Sequence, residues 1–446
     1  MNLLLITFSF PPAGGVGVLR ALSLAKYLPE NDVRVDVLTA RNAPAVGKDL
    51  TLLQQVPSSV TVHRTWTLDL PFWLRKSLKK AVTGGQARQK VAPTSQTSTN
   101  TGNPLKRAIG NLLLPDPQVG WLPFAFPAAV RVIRERAIDA VVITVPPFSS
   151  VKLASRLRRV FPTLPILVDF RDEWLATTLD LVSFNNNSKA REVAQKTESD
   201  AVHDASAVVL VTEAARRELQ SRYPDLPPEK FLWIPNGYDV VPPTPEIVSA
   251  RKKAPGEKVV LTYIGTIYGS TAPGSFIEAV HQLPAEIRSR LHLRFIGHVE
   301  VPEYREQLLG LGDSVELKGF MPQAEALAAI RDTDYLLLIT HDKINVAAKF
   351  YDYLGGGKPI LGAVHPEGDV RRLLEETRAG LWADVDDSEA IGRMLIQAVE
   401  TSSAWPEPDY ERIAAYHRRP ISARYAELLQ QMVAPAATTP KEQVHR

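Results

Sequence analysis

Cysteine is absent from the 446 residues, which excludes disulfides, thiolate metal ligands and cysteine nucleophiles together. Neither sign of charge is in excess. The 52 Lys and Arg against 49 Asp and Glu leave a formal net charge of +3, too little to predict affinity for nucleic acid. No apolar run approaches the ~20 residues that a membrane span requires. The first apolar run lacks a basic lead and meets Pro11-Pro12 before it takes signal-peptide form. These absences predict a cytoplasmic protein, attached at most to the inner face of the plasma membrane. His63, His203, His298 and His341 are scattered, so no histidine stands out as a catalyst. Apolar residues at 45% and charged residues at 23% are ordinary for a globular protein, and the length suits two or three domains.

Apolar, strand-like runs recur in the first half at 3–8, 33–38, 60–62, 140–144, 166–170, 207–211 and 231–234. Helical patterns such as 126–133 and 151–160 separate most of them, and that alternation predicts a parallel sheet covered by helices. Prolines and charges break the theme at 241–257, which reads as a linker. It restarts at 259–264, 293–296, 315–317, 335–339 and 360–364. The expected organisation is a domain over 1–240, a second over 258–405, a helical segment over 406–432 that returns to the first, and a disordered tail over 433–446. Two doubly wound α/β domains of this kind would face each other across a cleft lined by strand ends.

Two glycine-rich segments carry the chemistry. In the first, Phe8-Ser-Phe-Pro-Pro-Ala-Gly-Gly-Val-Gly-Val-Leu-Arg20 stands between a strand and a helix. Gly14, Gly15 and Gly17 let backbone N–H groups approach a ligand, and the following helix turns its positive end toward an anion. A tight turn without a ligand fits the same residues, and the spacing departs from the dinucleotide fingerprint. Arg20 is placed either to reach a diphosphate or to sit solvated on the helix. In the second segment, Lys349-Phe-Tyr-Asp-Tyr-Leu-Gly-Gly-Gly-Lys-Pro-Ile-Leu361 sets a cation and a carboxylate ahead of a glycine triplet and a strand. Lys349 and Asp352 would share a helix face, and Gly355 to Gly357 can adopt φ > 0 to end that helix.

Asp169, Arg171 and Asp172 follow a strand and so emerge at a carboxyl end, where clefts form. They either orient a substrate hydroxyl or close an internal Arg–carboxylate pair. Trp174 reads as packing more than as a sugar platform. His341 ends a strand where it would line the same pocket as Lys349. Between Asp69 and Asp116 there is no acidic residue, while Arg75, Lys76, Lys79, Lys80, Arg88, Lys90, Lys106 and Arg107 are basic. Leu74, Leu78 and Val82, with Phe72 and Trp73, give the insert over 70–107 the composition of a helix on an anionic membrane; a solvated basic helix is the alternative.

The loop 11–20, Asp169-Phe-Arg-Asp-Glu-Trp174, Ile234-Pro-Asn-Gly-Tyr-Asp239 and the segment 349–361 together resemble, over nearly the whole chain, the GT-B fold retaining glycosyltransferases of the family 4 group that builds bacterial polysaccharides. The resemblance implies an N-terminal acceptor domain and a C-terminal domain for a nucleoside-diphosphate sugar, a UDP- or GDP-sugar, transferred to a saccharide or lipid-linked saccharide. It gives Asp352 the ribose, where the family more often has Glu, and Lys349 the leaving phosphate. Gly265-Thr266 takes the phosphate-facing turn and Phe320 the base, with Asp169, Arg171 and Asp172 as catalytic candidates. One departure matters: the glutamate that many members carry eight residues earlier is Ile344 here, which cannot accept a hydroxyl. Asn345 and the backbone of Val346, Ala347 and Ala348, beside Gly355 in the donor segment, are then left to hold the sugar. No cofactor and no metal are expected, since no Asp-x-Asp pair stands at these segments. A scaffold that has lost catalysis, and more remotely a nucleotide-sugar epimerase, are the alternatives.

Overall fold

The structure is a computed structural model that describes residues 1–43, 48–68, 113–176, 188–241, 243, 257–321, 323–400 and 407–434. The basic insert over 70–107, most of the linker and most of the tail lie outside the described residues.

The chain forms two compact units, one of Met1–Val209, Pro224–Leu232 and Ser422–Arg446, the other of Leu210–Tyr223 and Trp233–Ile421. The expected first domain over 1–240 differs from this division, because Leu210–Tyr223 and the residues from Trp233 group with the second unit. Thirteen strands are described: β1 Asn2–Thr7, β2 Arg34–Ala40, β3 Thr61–Thr65, β4 Ala140–Val145, β5 Ile166–Phe170, β6 Ala207–Leu210, β7 Phe231–Trp233, β8 Val259–Ile264, β9 Leu291–Ile296, β10 Val315–Gly319, β11 Tyr335–Thr340, β12 Ile360–Val364 and β13 Gly380–Asp384. They build a seven-stranded sheet in the order β3-β2-β1-β4-β5-β6-β7 and a six-stranded sheet in the order β10-β9-β8-β11-β12-β13.

Every residue of β4, β5, β11 and β12 is buried. Central strands of a parallel sheet are covered on both faces, which is why these runs are almost continuously apolar instead of alternating, with the buried Asp169 of β5 as the charged exception. Each buried Leu, Ile or Val contributes roughly 1.5–3 kcal/mol. The strand β13 escaped the sequence reading because its pattern is short and begins with glycine. Gly380 is required there: a Cβ would lie 1.9 Å from the Ile360 carbonyl oxygen of the neighbouring strand.

In both sheets the order reverses beside the first strand, between β1 and β4 and between β8 and β11. Ligands of doubly wound folds bind at such reversals, beyond the carboxyl ends of the strands. In the second unit the reversal is also a physical gap. β8 pairs with β9 along its whole length, but with β11 only at Leu261 and Thr262.

Near the C-terminus the pattern of Arg419-Pro420 predicts a break in the helix. Instead Pro420 occupies the first turn of the helix Arg418–Val433, where a missing N–H costs nothing.

Candidate active site

At the first unit's reversal, β1 runs into the glycine loop, and Gly15 caps the helix Val16–Tyr27 with φ 99°. Gly15, Val16 and Gly17 are exposed, as a ligand-facing loop requires. Arg171 holds this loop in place from behind. Its guanidinium donates to the carbonyls of Val145, Pro146 and Gly17, tying the end of β4 to the loop. Burial lowers its pKa, and Asp172 and Asp169 offset part of that fall.

Arg20 is placed differently from both sequence expectations. It is neither solvated nor aimed at the loop; it turns into the core with 7% exposure and forks onto the fully buried Asp169, Nε to Oδ2 and Nη2 to Oδ1 both at 3.0 Å. The Tyr425 hydroxyl donates to Asp169 at 2.7 Å and accepts from Arg20. Burial opposes the charge on Arg20, but Asp169 more than compensates and keeps the guanidinium protonated. The internal Arg–carboxylate pair therefore exists, with Arg20 in the place expected of Arg171. Asp172 stands half-buried beside Arg171, and Trp174 stacks on Phe148 with ring centroids 4.5 Å apart, as a packing residue.

The second unit gathers more of the expected residues. Its strands β8, β9 and β10 end in Gly265, Gly297 and Gly319, with φ of 132°, 138° and 70°. The Gly265 N–H donates to the Ile296 carbonyl and the Gly297 N–H to the Gly319 carbonyl, so the three half-buried turns are tied into one rim. A Cβ at Gly297 would fall 2.1 Å from the Gly265 carbonyl oxygen. Thr266 follows on that rim. Phe320, just past Gly319, is 69% exposed and lies parallel to His298 at 5.5 Å.

The helix Ala348–Gly356 leads away from β11 toward β12, and it places Lys349 against the Gly265 turn. The Lys349 ammonium sits over the Tyr263 ring, 3.8 Å from its centroid, and 3.4 Å from where a Gly265 Cβ would be. Among the described residues no carboxylate pairs with it. Burial alone pushes its pKa down from 10.5 to about 7. Asp352 is not its partner. The carboxylate lies near Arg418, and burial raises its pKa to about 6 against that cation's pull. Sharing a helix face thus brings the two side chains to one side of the helix without an ion pair.

Tyr353 explains how the gap between β8 and β11 stays open. Its buried hydroxyl accepts from the Ile264 N–H at 2.7 Å and donates to the Leu337 carbonyl at 3.2 Å, satisfying groups that the diverging strands leave unpaired. The glycine triplet also works differently from expectation. Only Gly357 adopts φ > 0, at 66°, as the helix cap. Gly355 and Gly356 are helical, and a Cβ on them would meet Tyr238 and Ile330 at 2.7 Å. Gly355 therefore serves close packing.

Asp342 organises the loop before the helix by accepting from the N–H groups of Ile344 and Asn345 at 2.8 Å, and from the Asn345 carboxamide at 3.1 Å. That turn leads through Val346 and Ala347 into Ala348, the first residue of the helix, with Ala347 as its cap. His341 is bound within the unit, to the Ala272 carbonyl at 3.1 Å and to Asp386 at 3.4 Å. Tyr263, Gly297 and Tyr353 went unnoticed in the sequence. A glycine at the end of each of β8, β9 and β10 was the readable signal; the tyrosines gave none, since their partners lie in other elements. Among the described residues no cluster of three or more His, Asp or Glu could hold a metal ion, and no helix is long and apolar enough to cross a membrane.

Known proteins share this architecture. The family model described as "Glycosyl transferase 4-like domain" matches residues 14–237, half of the chain. Among solved structures, HepE from Anabaena in complex with UDP is similar at TM-score 0.60 and 16% identity, covering 97% of this chain and 100% of that one. Sucrose-phosphate synthase from Thermosynechococcus elongatus gives TM-score 0.60 and 16% identity, over 97% and 98% of the two chains. WaaG, a glycosyltransferase involved in lipopolysaccharide biosynthesis, gives 0.56 and 14%, over 96% and 99%. No curated protein sequence matches. Identities this low carry the fold alone, so membership rests on the matched model: with its two doubly wound sheets, the chain belongs to the glycosyl transferase 4-like family and has the GT-B glycosyltransferase fold.

Proposed function

We propose that the protein is a retaining hexosyltransferase that moves a sugar from a UDP- or GDP-sugar to a saccharide or lipid-linked saccharide in surface-polysaccharide assembly. The observation that carries this reading is Lys349, an ammonium without a carboxylate partner among the described residues, held against a positive-φ glycine turn at the sheet's reversal. HepE, solved with UDP, and WaaG, named for lipopolysaccharide biosynthesis, support the donor class and the pathway class.

In the reaction the bond between the anomeric carbon and the β-phosphate oxygen breaks, and its electron pair leaves with the diphosphate. The acceptor hydroxyl oxygen bonds to the same face of that carbon and passes its proton to a leaving phosphate oxygen. Lys349 and the first-turn N–H groups of the helix Ala348–Gly356 stabilise the charge as it develops. Asp352 accepts from the ribose hydroxyls, Phe320 presents a face to the base, and Asn345 with the backbone of Val346 to Ala348 holds the sugar in place of a glutamate at 344. The lysine and the N–H groups make a metal and a further cofactor unnecessary; activity lost to a chelator and restored by manganese would contradict this. The first unit takes the acceptor, with the loop of Gly14, Gly15 and Gly17 beside it. The protein works in the cytoplasm, and its basic segment over 70–107 brings it to anionic membrane. Binding to anionic vesicles that survives neutralisation of Lys76, Lys79 and Lys80 would argue against that role.

Replacing Lys349 with Ala tests the reading. Donor hydrolysis and transfer are expected to fall by on the order of a hundredfold or more, and an unchanged rate refutes the assignment. A binding scaffold without turnover is the second reading, favoured by Ile344. Nucleotide binding with no transfer to any acceptor would select it.

A further inference from the structure

A buried or half-buried lysine usually finds a carboxylate, because pairing offsets the loss of hydration. Lys349 finds an aromatic face instead. Tyr263 is fully buried, two residues before Gly265 on β8, and its ring lies 3.8 Å beneath the ammonium. The same side chain reaches the turn with its other end, for its hydroxyl donates to the Thr266 carbonyl at 3.1 Å. One residue therefore fixes both the cation and the backbone turn beside it.

The physical difference between a ring and a carboxylate decides what the lysine can do. A carboxylate would neutralise the ammonium and compete with any incoming anion. The negative face of an aromatic ring attracts a cation through its quadrupole while leaving its net charge, and most of its N–H donors, unspent. We infer that Tyr263 is a positioning residue for the donor diphosphate, holding the Lys349 ammonium beside the Gly265 turn without neutralising it.

This rests on the reading of Lys349 given under Proposed function, and the two are separable by experiment. No fixed negative charge is needed for the arrangement, so the ring's electron density, and not the hydroxyl, is the property that matters. Burial, which lowers the lysine's pKa, makes the point sharper: the ring favours the protonated form that the surroundings disfavour.

The test measures binding of UDP, or of GDP where that binds more tightly, and of the parent nucleoside, by calorimetry on the full chain. Four proteins are compared: wild type, Lys349→Ala, Tyr263→Phe, and a form carrying pentafluorophenylalanine at 263, which keeps the ring's size but removes its negative face. Tyr263→Phe is expected to bind the diphosphate within about threefold of wild type. The fluorinated form is expected to bind it about two- to thirtyfold more weakly, the range of a cation–π contact, with nucleoside binding unchanged. A purely packing role for Tyr263 would leave the fluorinated form equal to Tyr263→Phe, and that result overturns the inference while leaving the donor assignment intact. If Lys349→Ala itself binds the diphosphate as wild type does, the donor assignment fails and this inference with it. Loss of diphosphate binding in Tyr263→Phe, with the nucleoside still bound, would show that the hydroxyl is what matters and would likewise overturn it.

Discussion

A lysine placed for a ligand should destabilise the free protein, and replacing Lys349 with Met measures by how much. Its pKa falls from 10.5 to about 7 because burial disfavours the charged form. At about 1.4 kcal/mol for each tenfold change in proton affinity, that corresponds to about 5 kcal/mol. Because Lys349 is half-buried and partly screened, about 2–3 kcal/mol is the figure to expect. The sign follows from linkage. A base with a depressed folded pKa binds fewer protons folded than unfolded between about pH 7 and 10.5, so stability rises with pH across that window. Below about pH 7 both states are protonated and the full penalty is present. The Lys349→Met protein should therefore melt above wild type at pH 6, with the advantage shrinking as the pH approaches 10. Thermal unfolding of both proteins at pH 6, 8 and 9.5 provides the assay. A variant less stable than wild type by the same margin at every pH would refute the picture of a desolvated, unpaired ammonium.

Other outcomes follow from the same geometry. The Asp352 carboxyl, raised to about 6 by burial, is penalised while ionised above that pH and relieved as the pH falls toward 3.8. Asp352→Asn should accordingly gain stability at pH 7.5 but not at pH 4, while its UDP affinity by calorimetry drops about tenfold through lost ribose hydrogen bonds. Gly297→Ala would force a Cβ to within 2.1 Å of the Gly265 carbonyl, so both the melting temperature and UDP affinity should fall; unchanged affinity would show that the rim does not hold the ligand. In the first unit, Arg20→Met leaves Asp169 buried without its cation and should cost about 3–5 kcal/mol in unfolding experiments. Tyr425→Phe removes one hydrogen bond to Asp169 and should cost about 1–3 kcal/mol, with UDP binding unaffected.

The strands were readable because burial on both faces writes them as continuous apolar runs. β4 at Ala140–Val145 and β11 at Tyr335–Thr340 carry no polar alternation to confuse the pattern. The edge strand β13 was not readable, since edge strands are less apolar and Gly380 hides its start. Lys349 stood out because Asp352 and the glycine triplet stand beside it in the sequence, but the groups it touches, Tyr263 and Gly265, belong to another element and nothing local marks them. Arg20 and Asp169 did not, because they lie 149 positions apart and nothing local marks them as partners. The glycine triplet misled for a related reason: Gly355 and Gly356 answer to Tyr238 and Ile330, side chains far along the chain, and only Gly357 answers to the backbone.

The central claim is that the second unit grips a diphosphate with Lys349 at the Gly265 turn. A crystal structure with UDP bound tests it most directly. A phosphate oxygen is expected within ~3 Å of the Lys349 Nζ, with the ribose hydroxyls on Asp352. UDP bound elsewhere on the chain, or seated at the rim with no phosphate oxygen in reach of Lys349, would contradict it.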